Sequence, residues 1–253
     1  MILQRIATSI RTQDWFTVLI ETLIVVLGVF LGLQAQQWIL ERDRQNREGA
    51  YLARLHDEVV QLQSVRARYD ESRRAFSADL VSAVRVLQDP SAGSLISVEQ
   101  CDAIAGSSHT TVPPADLPAI TELLSTGRLD EITSNDVRAS ILNLTQDSTS
   151  AKDLIQLIGQ ETESLGRAFP QLMRYDLGES PFNVDDYWLS PVCDTEGMRA
   201  DPVFMNALID NAYMYNVYAE RGVLPISRRV QELHETLDET LGIVHRTEIG
   251  GPE

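Results

Sequence analysis

The side chains in this sequence best suited to proton transfer or metal binding are its 4 histidines, His56, His109, His234 and His245. None is read with a second ligand three or four positions on, and no HExxH occurs, so no metal site is expected. His56 stands beside Asp57 and Glu58 in a helical stretch, where a solvated face is the ordinary reading. His109, in GSSHTT, has Ser107 and Ser108 beside it, and an imidazole activating a serine would make a hydrolase nucleophile. The GxSxG turn that presents such a serine is missing, so His109 reads as a loop histidine. Gly250-Gly251 lacks the lysine of a phosphate cradle, and Asp185-Asp186 lacks the ligand spacing of a calcium loop. Tyr213, Tyr215 and Tyr218 fit the core and rim of one helix; with Trp188 they could instead line a ligand pocket. The expected inventory is therefore no catalytic residue, no cofactor and no metal.

Cys101 and Cys193 are the 2 cysteines. In a reducing compartment they would be small buried hydrophobes; in an oxidising one they could form a single bridge across a long loop. They form no Cys-x-x-Cys pair, which excludes a redox motif or zinc knuckle of that type. The formal charge of −16 argues against nucleic acid as a partner, because nothing offsets phosphate repulsion. It argues equally against a polybasic contact with anionic lipid.

The elements that would carry these residues begin with an apolar run, FTVLIETLIVVLGVFLGL, from Phe16 to Leu33. A helix of that length spans about 27 Å, close to the hydrocarbon thickness of a bilayer. Trp15 and Trp38 bracket it, as interfacial aromatic rings do. A core helix of this length would show an amphipathic face, and a signal peptide would need small residues where Leu33-Gln34-Ala35 stands. The run is read as a transmembrane helix, with the lipid bilayer as its first partner. Glu21, Gly28 and Gly32 fall within about 40° of arc at 100° per residue, forming a GxxxG face with an acid two turns before it. Small residues admit a second helix closely, so this face is the expected membrane contact, either for self-association or for a partner membrane protein. The other readings of Glu21 are an acid reaching the headgroups and a proton or ion pathway. Arg5 and Arg11 before the run, against Arg42, Arg44, Arg47 and Arg54 after it, do not favour an inside N-terminus by count, but short N-terminal tails usually stay inside in bacterial signal anchors, and two pairable cysteines suit an oxidising exterior. The expected topology is an inner-membrane, single-pass protein with its N-terminus cytoplasmic and its C-terminal domain periplasmic.

Beyond the anchor, Leu52, Leu55, Val59, Leu62, Tyr69, Phe76, Leu80, Ala83 and Leu87 share one heptad frame, with Arg66 and Arg73 on the same seam. This predicts one long helix ending near Asp89-Pro90. It would be either a core helix of a bundle, with both arginines at its edge, or a parallel self-associating coiled-coil stalk. VEQCDAIA reads as a helical piece carrying Cys101 inward. Gly127 reads as a left-handed helix cap, and Thr133 or Ser134 as the cap of the next helix. A further helix is expected from Leu154 to about Tyr175, then a loop over 176–202, then a last helix opened by Pro202 and punctuated by Gly222 and Pro225. No strand alternation is evident, so the class is all-α. The expected division is 1–13 a short tail, 14–38 the transmembrane helix, 39–89 a long amphipathic helix, 90–246 a helical bundle with loops and 247–253 a disordered tail.

Two stretches resemble a family of bacterial membrane proteins of unknown function. Its members open with a helix of the type GE-I-I-L-V-V-I-G-I-L-I-A-L-Q-I-N-N-W and later carry LKSSGxLxxIxNxxLRxxL. The matching residues are Glu21, Gly28, Leu33, Gln34 and Trp38, then Ser125, Gly127, Leu129, Ile132, Asn135 and Arg138. Gln36-Gln37 replaces the paired asparagines and Val137 a leucine. The resemblance covers the first 60 residues and roughly 115 to 150; it implies the anchor and the fold and brings no activity. The functional expectation is a non-enzymatic interaction or assembly module held at the membrane. The alternatives are a ligand-sensing helical bundle and a hydrolase using His109.

Overall fold

Where the helices begin and end follows from local chemistry in the computed structural model, which describes residues 15–89, 95–179 and 187–245. Helix α1, Trp15–Gln88, runs 74 residues without a proline and stops before Pro90, whose ring disfavours helix in the preceding residue. Ser97 caps α2, Val98–Ala105, in a reciprocal capping box with Gln100. Helix α3, Pro118–Thr126, opens on a proline and closes on Gly127 at φ 68°. There the Arg128 N–H reaches the Leu123 carbonyl at 3.0 Å, the long bond of a Schellman turn. After a 3-10 turn, Leu129–Glu131, the Ser134 side chain accepts from the Val137 N–H and starts α4, Asn135–Glu161. The helix expected from Leu154 to about Tyr175 is corrected: its first part, 154–161, is the end of α4, which runs on through TQDSTSAKD, a polar stretch with no glycine or proline, and the remainder leaves the helix and ends in a strand. A single turn, α5, Leu165–Ala168, follows.

The absence of strands expected from the sequence is corrected in one place. Strands β1, Met173–Glu179, and β2, Tyr187–Cys193, form an antiparallel pair in register from Met173 with Cys193 to Glu179 with Tyr187. Helix α6, Thr195–Ala200, is capped by Asp194, and α7, Pro202–Val217, by Asp201, with Pro202 in its first turn. The chain then widens into a π-helical turn, Tyr218–Val223, and resumes as α8, Leu224–Leu241. Gly222 and Pro225 thus do not break the last helix. The π turn ends just before the proline, so Pro225 falls in the first turn of α8, where a missing N–H is tolerated. The described residues are helical apart from this hairpin and the connecting loops, so the chain is mostly all-α.

The chain forms two compact units, one up to Tyr51 and one from Leu52 onward. In the first, the described apolar side chains of α1 from Leu19 to Leu33 are all exposed, Leu19, Ile24, Val25 and Leu31 each by more than 60%. Each such side chain gains about 1.5–3 kcal/mol on leaving water. This helix is long and apolar enough to cross a membrane, and none of its apolar window is buried among the described residues, which argues against the core-helix reading.

In the second unit Leu52, Leu55, Val59, Leu62, Leu80, Ala83 and Leu87 are buried within the chain. The heptad seam is therefore the inner face of a bundle helix. Leu80, Ala83 and Leu87 join Ile104 of α2, Leu165 of α5, and Phe204, Leu208 and Tyr215 of α7 in one core. Phe169 meets Phe204 edge-on at 5.3 Å, and Phe76 packs on Tyr215 at 4.7 Å between ring centroids. Helix α4 packs along α8 and the π turn.

Arg66 departs from expectation. It lies in the core, 2% exposed, whereas Arg73 stays half-buried with its guanidinium 4.9 Å from the centre of the Tyr69 ring. Arg66 donates from Nε to Ser227 Oγ at 2.9 Å, from Nη1 to the Pro114 carbonyl at 3.1 Å and from Nη2 to the Val223 carbonyl at 2.6 Å. Asp70, one turn on, lies 3.5 Å from Nη2 and accepts from the Ser227 hydroxyl. Burial pulls this guanidinium below its ordinary pKa, with Asp70 pulling the other way. A buried charge survives here because its donors find acceptors, two of them carbonyls at the ends of irregular segments.

Candidate functional site

Glu21, Gly28 and Gly32 lie on an exposed stretch of α1, and a Cβ added at either glycine would meet nothing within 4 Å. Among the described residues nothing covers the glycine face, so a second helix could approach it to backbone distance. Cys101 and Cys193 are bridged, with Cα atoms 5.9 Å apart, tying α2 to the last residue of β2.

Of the rings expected to line a pocket, two pack against one another instead. Tyr215 and Tyr218 are buried, their centroids 5.2 Å apart, while Tyr213 is exposed. The Tyr218 hydroxyl meets that of Tyr69 at 2.6 Å and donates to the Thr111 carbonyl. Burial raises the Tyr218 phenol above its ordinary pKa, and the hydrogen bond with Tyr69 adds to the rise. The side chain of Trp188, together with Asp185, Asp186, Trp15's side chain, the N-terminal arginines Arg5 and Arg11, and the tail beyond His245, lies outside the described residues. A cleft of ≈ 380 Å³ does open elsewhere, between the middle of α1 and the π turn. Charged side chains, Arg73, Arg85, Asp70 and Glu220 among them, line it beside apolar ones such as Val81, Val223 and Leu224, and no aromatic ring is in its lining. His109 is exposed, and the neighbouring Ser107 hydroxyl donates to the Ile104 carbonyl while accepting from Asn211.

The fold assembles one constellation that the sequence reading did not foresee. His56 from α1, His234 and Asp238 from α8, and His245 beyond it place one donor atom each within 4.8 Å of all the others. His56 Nε2 lies 2.9 Å from Asp238 Oδ1, and His245 Nε2 lies 2.9 Å from Oδ2. His234 Nε2 is 3.6 Å from Oδ1, buried, and makes no hydrogen bond. The ring centroids of His234 stand 5.0 Å from those of both His56 and His245.

Local rules explain the assembly. His234 and Asp238 are one turn apart and share a face of α8. Gly242, at φ 67°, then reverses the chain, and the Ile243 N–H closes a Schellman turn on the Asp238 carbonyl at 2.9 Å. That turn brings His245 back over the helix end. Burial pushes the His234 imidazole below its ordinary pKa, the other two imidazoles add to this, and Asp238 opposes it. Burial works against charge on Asp238, yet hydrogen bonds from His245 and His56 outweigh it and hold the carboxyl below the usual carboxylate range. The expectation that no histidine has a second ligand at helical spacing passed over Asp238, four residues after His234. That pair was the legible signal; His56 and His245 were too distant in sequence to connect with it. Compared with protein-family models, curated proteins and solved structures, the chain matches none of them.

Proposed function

We propose that the protein is a single-pass, non-enzymatic interaction module of the bacterial inner membrane, whose helical domain stands in the periplasm and whose membrane helix associates through the Glu21–Gly28–Gly32 face. The observation that carries this reading is the exposed apolar stretch of α1, with two glycines open to a second helix. In hydrocarbon, helix pairs gain little from burying oil against oil, so close backbone approach at small residues decides where they meet. The occupant we assign is a second copy of the same helix, with Glu21 sharing the contact as a protonated or hydrogen-bonded acid. The Cys101–Cys193 bridge supports the periplasmic side, since such bonds persist in oxidising compartments.

Because both native cysteines are paired, Gly28→Cys adds the one free thiol. Oxidation of native membranes carrying this variant is expected to give a dimer band on a non-reducing gel, and adding Gly32→Ile is expected to weaken it severalfold. Absence of any crosslinked dimer, or one indifferent to Gly32→Ile, contradicts the contact.

A further inference from the structure

We propose that His56, His234, Asp238 and His245 form a structural zinc site that fastens the C-terminal tail and α8 to α1. The ligand set is three imidazoles and one carboxylate, a borderline donor set well matched to Zn²⁺, with the thiolates that would favour softer metals locked in the disulfide. Zinc holds nitrogen and carboxylate oxygen at about 2.0–2.2 Å, which in a tetrahedron separates donor atoms by about 3.3–3.6 Å. The contacts to the two Asp238 oxygens, at 2.9, 2.9 and 3.6 Å, lie near that spacing, and the four donor atoms all stand within 4.8 Å of one another. Closure onto an ion draws the widest pair together by about an ångström at most.

Hydrogen bonding alone does not complete this cluster. Two imidazoles can donate to the two oxygens of Asp238, which leaves His234 Nε2 buried and without a hydrogen-bond partner. A buried polar atom in that condition costs about 1–3 kcal/mol. A cation at the centre would engage all four donors together. Four protein donors fill a tetrahedron and leave no position for an activated water, which makes the site structural. This inference is independent of the membrane-helix contact; its failure would leave that reading untouched.

The test uses the full-length chain in detergent, prepared without a histidine tag and stripped with a chelator. Titration with Co²⁺ is expected to give one equivalent per chain with the visible bands of a tetrahedral complex, displaced stoichiometrically by Zn²⁺. His245→Ala, on the exposed tail, is expected to weaken Zn²⁺ binding by at least about tenfold and to alter the Co²⁺ spectrum. His234→Ala is expected to abolish the spectrum. The far-ultraviolet circular dichroism of each variant reports whether it has folded, and His245→Ala decides the matter if His234→Ala has not. No saturable binding overturns the site. So does binding equally tight in His245→Ala, which would place the metal on acidic surface groups; an unshifted wild-type affinity with two equivalents or more does the same.

Discussion

Cys101→Ala, Cys193→Ala and reduction of the native chain are each expected to destabilise the helical domain by roughly 4–5 kcal/mol. The bridge spans 92 residues, and a crosslink closing so long a loop removes much of the freedom of the unfolded chain. Cys101 is also buried, on the inner face of a helix of only 8 residues that would otherwise be held by its capping box and apolar contacts. Urea unfolding of the purified chain, with and without reductant, measures the difference. Single and double cysteine variants should agree closely, since either removes the same bond. A loss under about 1 kcal/mol would mean that α2 and β2 are held together by packing alone.

Arg66→Met is expected to cost about 3–5 kcal/mol, because it leaves Asp70 buried without its cationic partner. The Ser227 hydroxyl cannot replace that charge, since it already donates to Asp70. Adding Asp70→Leu and Ser227→Ala to the same chain removes the orphaned side-chain groups and is expected to recover part of the loss, the Pro114 and Val223 carbonyls still lacking their donor. Thermal unfolding of the single and triple variants compares the two. Equal stability of Arg66→Met and the native chain would place Arg66 in solvent and contradict the buried network. The network also explains the π turn in part: the turn ends at Val223, whose carbonyl is one of the acceptors that make a buried guanidinium tolerable.

What was legible in the sequence had local causes. Gly127, Ser134 and Pro202 announce helix ends through capping and fixed dihedrals, and each does so in the structure. The heptad positions from Leu52 to Leu87 mark an inner face because a helix repeats its direction almost every seven residues. The hairpin was not legible because it is a two-stranded ribbon with little burial along its length. Leu177 and Leu189 are exposed, so no alternation of apolar and polar residues was selected, and Pro191 argues against a strand. Arg66 reads as surface in any sequence. Only the acceptors at Pro114, Val223 and Ser227, supplied by distant segments, reverse that. The histidine cluster divides in the same way. His234 and Asp238 could be paired by counting residues, whereas His56 enters from α1 and His245 depends on the reversal at Gly242.

The central claim is that the exposed apolar stretch of α1 lies in a bilayer. Its most direct test is sedimentation of the full-length chain from a detergent-free lysate, followed by an alkaline carbonate wash and an intact-mass measurement. The account predicts a carbonate-resistant pellet, released only by detergent, with the N-terminal helix still attached. A chain that stays in the supernatant, or one whose mass shows the helix cleaved away, would contradict it.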